Sequence, residues 1–170
     1  MKGLSALPVR PPVMQPIIKF HHKVLRGMLK LSKYSPIAPL YFLLGEPPME
    51  ASLHMNVLSL FWNIWVNPET KVFKVVKYLL MMASDNSVTW SAHVRILFRI
   101  YNLPDPLTLL CSLPWPKERW KSHTKTAVLA YHEAVWRNKA ANNPKLTYPN
   151  VKATGLTSRP HPMLSWILTT

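Results

Sequence analysis

The prolines that separate the predicted helical segments limit what this chain can fold into more than any other feature. Because proline lacks a backbone N–H and its ring clashes with the preceding turn, a regular helix accepts it mainly in the first turn. The sequence has 17 prolines and only 4 glycines, and the apolar residues between the prolines recur at spacings near three and four. The predicted fold is all-α, an irregular multi-helix bundle with proline-rich joints and an irregular C-terminal tail.

The clearest amphipathic segment occupies residues 86–107. Its predicted buried face carries Trp90, Val94, Leu97, Phe98 and Tyr101. The opposite face carries Ser91, Arg95, Arg99 and Asn102. Asn86 or Ser87 is expected to cap this helix, and Leu103-Pro104 to end it, because proline disfavours helical geometry in the residue before it. Asp105 is then expected to cap a short helix that begins at Pro106.

Similar patterns predict five further helical regions and two irregular ends. Residues 1–15 are expected to be irregular. Helices are predicted from Pro16 to about Ser32, within residues 34–45, after Pro47-Pro48, after an Asn67 cap, and from Pro116 to about Ala140. The predicted buried side chains of the middle helices are Leu53, Val57, Leu58, Phe61, Ile64 and Trp65, followed by Val72, Val75, Val76 and Leu79. The sequence is divided into 1–45, with an N-terminal arm and one helix, a helical domain over 46–141, and an irregular tail over 142–170.

The large excess of positive charge limits which partners the chain can bind. Lys and Arg number 21 against 7 Asp and Glu, which gives a formal net charge of +14, and no acidic residue precedes Glu46. One basic stripe is predicted along the first helix and another along the last, where it includes His132. A polyanion such as nucleic acid is the expected partner, and a merely solvated basic surface is the alternative. The candidate nucleic-acid-binding residues are Lys19, Lys23, Arg26, Lys30, Lys33, Arg95, Arg99, Lys121, Lys125 and Lys139.

Catalytic chemistry is not indicated by any motif. The seven acidic residues are scattered, whereas two-metal catalysis needs carboxylates gathered together. His132-Glu133 begins a zinc-protease pattern, but Trp136 stands where the second histidine is required. We therefore expect no enzyme activity from this chain alone, and no metal or cofactor.

The histidine and cysteine residues do not indicate a catalytic or metal-binding site either. Neighbouring His21 and His22 are expected on different helix faces, in the core or facing phosphate. Cys111, the only cysteine, excludes an internal disulfide and fits a reducing intracellular compartment, nuclear or cytoplasmic. The longest uncharged interval, 51–68, contains polar residues, so a buried or interface helix is expected there rather than a membrane span, and no membrane partner is expected.

The order of several motifs resembles the region after the polymerase domain in non-LTR (LINE-type) retrotransposon reverse transcriptases. The resemblance covers almost the whole chain. It rests on residues 3–54, LSLFWNIWVNPETKVFKVVKYLL (58–80), NSVTWSAHVRILFRIYNLPDPL (86–107), PWPKERWK (114–121), YHEAVWRNKAANNPKLTYPNV (131–151) and GLTSRPHPML (155–164).

The resemblance implies a fragment or derivative of a retrotransposon polyprotein. The first helix would be thumb-like, and residues 46–141 would be a linker-like domain that guides RNA or an RNA–DNA duplex without reading sequence. The parent polyprotein would be an RNA-directed DNA polymerase, whose catalytic positions fall outside this sequence. Two alternatives are a helical interaction module that docks on a separate polymerase core, and a non-functional relic.

Overall fold

Every regular element in the described part of the computed structural model is an α-helix, which confirms the all-α prediction. The structure describes residues 11–84 and 88–141. The helices are α1 (Pro11–Met28), α2 (Ala38–Leu44), α3 (Met49–Trp65), α4 (Lys71–Met82), α5 (Trp90–Ile100), α6 (Pro106–Leu110) and α7 (Lys117–Ala141). The predicted tail, 142–170, and the predicted caps Asn86 and Ser87 lie outside the described residues.

The described residues fall into two compact units. One, here called the central unit, is Ser52–Val128; the other, the flanking unit, is Pro11–Ala51 together with residues 129–141. The domain boundaries predicted at residues 45 and 141 stay a prediction.

Helix α1 begins and ends earlier than predicted. Residues 11–15 are helical rather than irregular, because Pro11 and Pro12 occupy first-turn positions where a missing N–H costs nothing. The helix ends at Met28, not near Ser32, since Lys30 adopts a left-handed conformation with φ 51°. The N–H of Lys30 donates to Gly27 O at 3.1 Å and that of Leu31 to Arg26 O at 2.8 Å, the paired bonds of a Schellman motif.

The core of the flanking unit forms where α1 meets α2. Leu25 and the fully buried Tyr41 pack with Ile37, Leu44 and Trp136. Helix α2 ends at Gly45, whose φ of 65° places it in the left-handed region that favours glycine. The sequence pattern predicts an apolar face of α1 at Met14, Ile18, His21, Leu25, Met28 and Leu29. Met14, Ile18, Leu25 and Leu29 are buried and His21 is half-buried, but Met28 is 68% exposed.

Aromatic side chains build the core of the central unit. All six residues predicted to be the buried side of α3 are buried, which confirms that helix face. Phe61 packs edge-on against Phe98 with ring centroids 4.8 Å apart, and Trp65 packs edge-on against Trp120 at 5.7 Å. The indole N–H of Trp120 donates to Leu58 O at 3.0 Å, so its one polar atom is satisfied inside the core.

Helix α4 presents a different face to the core than predicted. Its buried residues are Phe73, Val76 and Leu80. Val76 is the one predicted core residue among them, whereas Val72, Val75 and Leu79 are exposed. Apolar residues surround most of this helix, so their spacing alone does not select one face. The cap also differs from the prediction: Thr70 Oγ1 accepts from the Phe73 N–H at 3.2 Å. The Asn67 side chain instead donates to Asn63 O at 2.7 Å, near the end of α3.

Helices α5 and α6 follow the predicted pattern closely. Val94, Leu97, Phe98 and Tyr101 are buried, and Asp105 accepts from the Thr108 N–H at 3.0 Å as the cap of α6. Asn102, with φ 50°, ends α5 in a second Schellman motif immediately before Leu103-Pro104. Three assignments differ from the structure. Trp90 is half-buried rather than buried, and Ser91 is buried rather than on the polar face. The cap is Thr89 rather than Asn86 or Ser87, and its hydroxyl lies 3.0 Å from that of Ser91.

Helix α7 has the predicted bounds within one residue but a different buried face. Its buried residues recur at every fourth position: Trp120, Thr124, Val128 and His132. The sequence pattern predicts a buried face at Trp120, Ala127, Tyr131, Ala134 and Val135. Only Trp120 of these residues is buried, and Tyr131 is 40% exposed. Short polar and apolar side chains alternate here without strong contrast, so sequence spacing did not identify the stripe.

Candidate nucleic-acid interface

The predicted basic stripe of α1 is shorter than expected. Lys19, Lys23 and Arg26 lie on the helix at spacings of four and three, which places them on one side. Lys30 and Lys33 follow the end of the helix, so they do not extend this helical row. Lys19 and Lys23 are exposed, and no carboxylate among the described residues pairs with them. Arg26 is half-buried, and its Nε donates to Ser35 O at 2.9 Å.

The structure brings Arg95 and Arg99 together in one cleft of the central unit. The cleft has a volume of about 280 Å³ and is lined by Arg95, Phe98, Arg99, Asn102, Leu103, Asp105 and Pro106. Arg95 Nη1 donates to Ala83 O at 2.6 Å, which anchors that guanidinium at the cleft. Asp105 is the acidic member of the lining, and it already accepts from Thr108 as the cap of α6. The cleft therefore has an excess of positive charge.

The basic row predicted along α7 divides between the two units. Lys121 and Lys125 are exposed, one turn apart, in the central unit. Lys139 is exposed in the flanking unit, where its Nζ lies 4.9 Å from the centre of the Trp136 ring. His132 does not belong to a basic surface, since it is only 8% exposed and burial lowers its pKa. A neutral ring at this position adds no positive charge near pH 7.

An aromatic and basic surface at the start of α7 was missed by the sequence prediction. It consists of Trp62, Trp115, Lys117, Arg119 and His123, and we call it the tryptophan platform. Arg119 Cζ lies 4.5 Å from the centre of the Trp115 ring, and Lys117 Nζ lies 5.9 Å from that of Trp62. The signal in the sequence is PWPKERWK, in which an arginine follows a tryptophan by four positions.

His21 and His22 both contact the hydroxyl of Tyr41, although the sequence predicted that they would lie on different helix faces. His21 Nδ1 lies 3.3 Å and His22 Nε2 lies 3.0 Å from the Tyr41 hydroxyl oxygen. They lie on either side of the buried face of α1, so both reach the tyrosine beneath it. Burial lowers the pKa of His22 and raises the pKa of Tyr41. These directions favour the neutral forms of both groups, which is typical of a structural polar cluster.

A second cluster of the same residue types lies in the central unit. His54 Nδ1 lies 2.5 Å from the Tyr101 hydroxyl oxygen, and the His54 and His93 rings are 5.8 Å apart. Burial lowers the pKa of His93. Across residues 11–84 and 88–141, no three His, Cys, Asp or Glu side chains converge as a metal site would require. Glu133, from the partial zinc-protease pattern, instead forms an ion pair with Arg137 at 2.6 Å.

Comparisons with protein-family models, curated proteins and solved structures find no match to this chain. In the described ranges, no helix has both the length and the apolar character needed to cross a membrane. The resemblance to a retrotransposon reverse transcriptase therefore stays a prediction from the sequence motifs.

Proposed function

We propose that the chain is a non-catalytic fragment or derivative of a non-LTR reverse transcriptase that binds RNA or an RNA–DNA duplex through its backbone. The observation that carries this proposal is the row of exposed lysines on α1. Lys19 and Lys23 have no carboxylate partner among the described residues, and phosphate is the anion that such a row binds without reading sequence. The Arg95 and Arg99 cleft and the pair Lys121 and Lys125 add further cations on the central unit.

Charge reversal on α1 tests the proposal. In Lys19→Glu/Lys23→Glu, the affinity for a short RNA–DNA duplex should fall at low salt. The slope of log K against log salt concentration should become shallower by about 2, because each phosphate contact contributes roughly 0.9. The matched control is Lys71→Glu/Lys74→Glu, the same charge change at exposed positions on α4. Unchanged affinity in the α1 variant, or an equal loss in both variants, would remove α1 from the binding site.

A second function, as a helical interaction module for a separate polymerase core, is favoured by the exposed face of α4. Val72, Val75, Leu79 and Met82 recur at spacings of three, four and three, and each is between 41% and 67% exposed. This a/d-like spacing is the pattern by which one helix packs against another. We call these four residues the α4 seam.

Hydrophobic-dye binding and co-expression test the second function. The isolated chain should bind a hydrophobic dye and self-associate, and Val75→Lys should reduce both effects. Co-expression with a polymerase domain should suppress them in the unmodified chain. Dye binding that is equal in both chains would exclude the seam as the exposed apolar surface.

A further inference from the structure

The tryptophan platform combines half-exposed aromatic rings with exposed cations in a fixed arrangement. Trp62 and Trp115 are half-exposed, whereas Lys117, Arg119 and His123 are exposed. The Trp62 indole N–H donates to Trp115 O at 2.9 Å, which ties the two aromatic residues together. The ring centre of Trp115 also lies 6.1 Å from that of Trp120, which is only 2% exposed. The core therefore holds the platform in place.

The cations flank this aromatic surface on two sides. Lys117 and Lys121 are one helical turn apart, and so are Arg119 and His123. Helical periodicity places these two pairs on either side of the buried Trp120. Arg119 lies over Trp115, and the His123 ring packs edge-on against the same indole at 5.4 Å. Glu118 projects from the side of α7 that is turned away from Trp120, so its carboxylate does not interrupt either pair.

We infer that the platform binds unpaired nucleotides of a single-stranded RNA or DNA, by stacking a base on the layered Arg119 and Trp115 pair. A guanidinium is planar and offers its outer face to a base while its inner face remains on the indole. Lys117 and Lys121 contact the phosphates on either side of that base. Bases within a duplex have both faces covered by their neighbours, so the platform discriminates by strandedness rather than by sequence.

This inference rests on the proposed binding of nucleic acid, but it predicts a different response to mutation. Backbone binding depends on charge and is insensitive to Arg119→Lys, whereas stacking requires the planar guanidinium. In a fluorescence-anisotropy titration, Arg119→Lys should weaken the binding of a twelve-nucleotide single-stranded oligo(A) about tenfold. Its affinity for an RNA–DNA duplex of the same length should change less than about twofold, since the net charge is preserved.

Two further variants control the experiment. Lys74→Arg also exchanges one cation for another, at an exposed position of α4 outside the platform, and should leave the affinities for both probes unchanged. Trp115→Leu removes the aromatic support and should reproduce the loss for the single strand; near-UV circular dichroism establishes that the core remains folded. If the Arg119→Lys variant binds the single strand with the affinity of the unmodified chain, the inference is wrong, but the proposed function still stands. Failure of the unmodified chain to bind either probe overturns both.

Discussion

At the scale of single residues, one buried and two half-buried histidines make folding stability depend on pH. Burial lowers the pKa values of His22, His93 and His132 from the ordinary value of 6.5. Below pH 6.5 the unfolded chain therefore binds more protons than the folded chain. Stability is fully present above that pH and falls as the pH drops toward the lowered pKa values.

Thermal unfolding between pH 5 and pH 8 measures this dependence. The melting temperature should be nearly constant from pH 7 to 8 and should fall steadily below pH 6.5. His132→Gln should flatten part of the decline, because it removes one of the three titrating rings. The matched control His123→Gln makes the same exchange at an exposed ring, so it shows the effect of the histidine-to-glutamine exchange itself on the melting temperature. A melting temperature that rises on acidification would contradict the assignment of these histidines as neutral.

Residue identity explains which local features could be predicted. Asp105-Pro106 identified the start of α6, because a carboxylate cap followed by proline has one favourable geometry. The cap of α4 was assigned to Asn67, although Thr70 fulfils that role. Both residue types can accept from free N–H groups, and sequence alone does not show which one the backbone brings into range. The same limit applies to His132, whose burial depends on contacts made after the helix has formed.

At the scale of one element, α4 offers a direct test of which face is buried. Leu79 and Leu80 are adjacent and chemically identical, but Leu79 is 41% exposed and Leu80 is fully buried. Leu80→Ala should lower the free energy of unfolding by about 2–5 kcal/mol, because it leaves a cavity in the core. Leu79→Ala should lower it by less than about 1 kcal/mol. Urea denaturation of the two variants gives both values, and a larger loss for Leu79→Ala would mean that the sequence-predicted face is correct.

The buried face of a helix could be predicted where one side of the helix is apolar and the other is polar. Polar residues interrupt the apolar positions of α5, and α3 carries a dense apolar stripe, so the predicted core residues of both helices are buried with few exceptions. In α4 nearly every position except the lysines is apolar, and the choice of face depends on tertiary packing.

The tryptophan platform was missed for a related reason: its members come from α3, the loop before α7 and α7 itself, which only folding brings together.

At the scale of the whole molecule, the excess of 14 positive charges should make nucleic-acid binding strongly salt-dependent and independent of sequence. If about half of the ten candidate cations neutralise a phosphate, the slope of log K against log salt concentration is roughly −4 to −5. The affinity should then fall by more than about 100-fold between 50 and 200 mM salt. Duplexes of unrelated sequence should bind within about twofold of one another, because phosphate contacts carry no base information.

Competition separates this interpretation from a merely solvated basic surface. Filter binding over a salt series, with two RNA–DNA duplexes of different sequence, gives the slope and the sequence preference together. A polyglutamate competitor of matched charge should displace the duplex less effectively than an unrelated nucleic acid, since carboxylates on a flexible chain do not reproduce the spacing of backbone phosphates. Equal displacement by both competitors would mean that the charge attracts any polyanion. In that case the lysines of α1 would act as a solvated surface, and the second function, docking through the α4 seam, would become the better account of the fold.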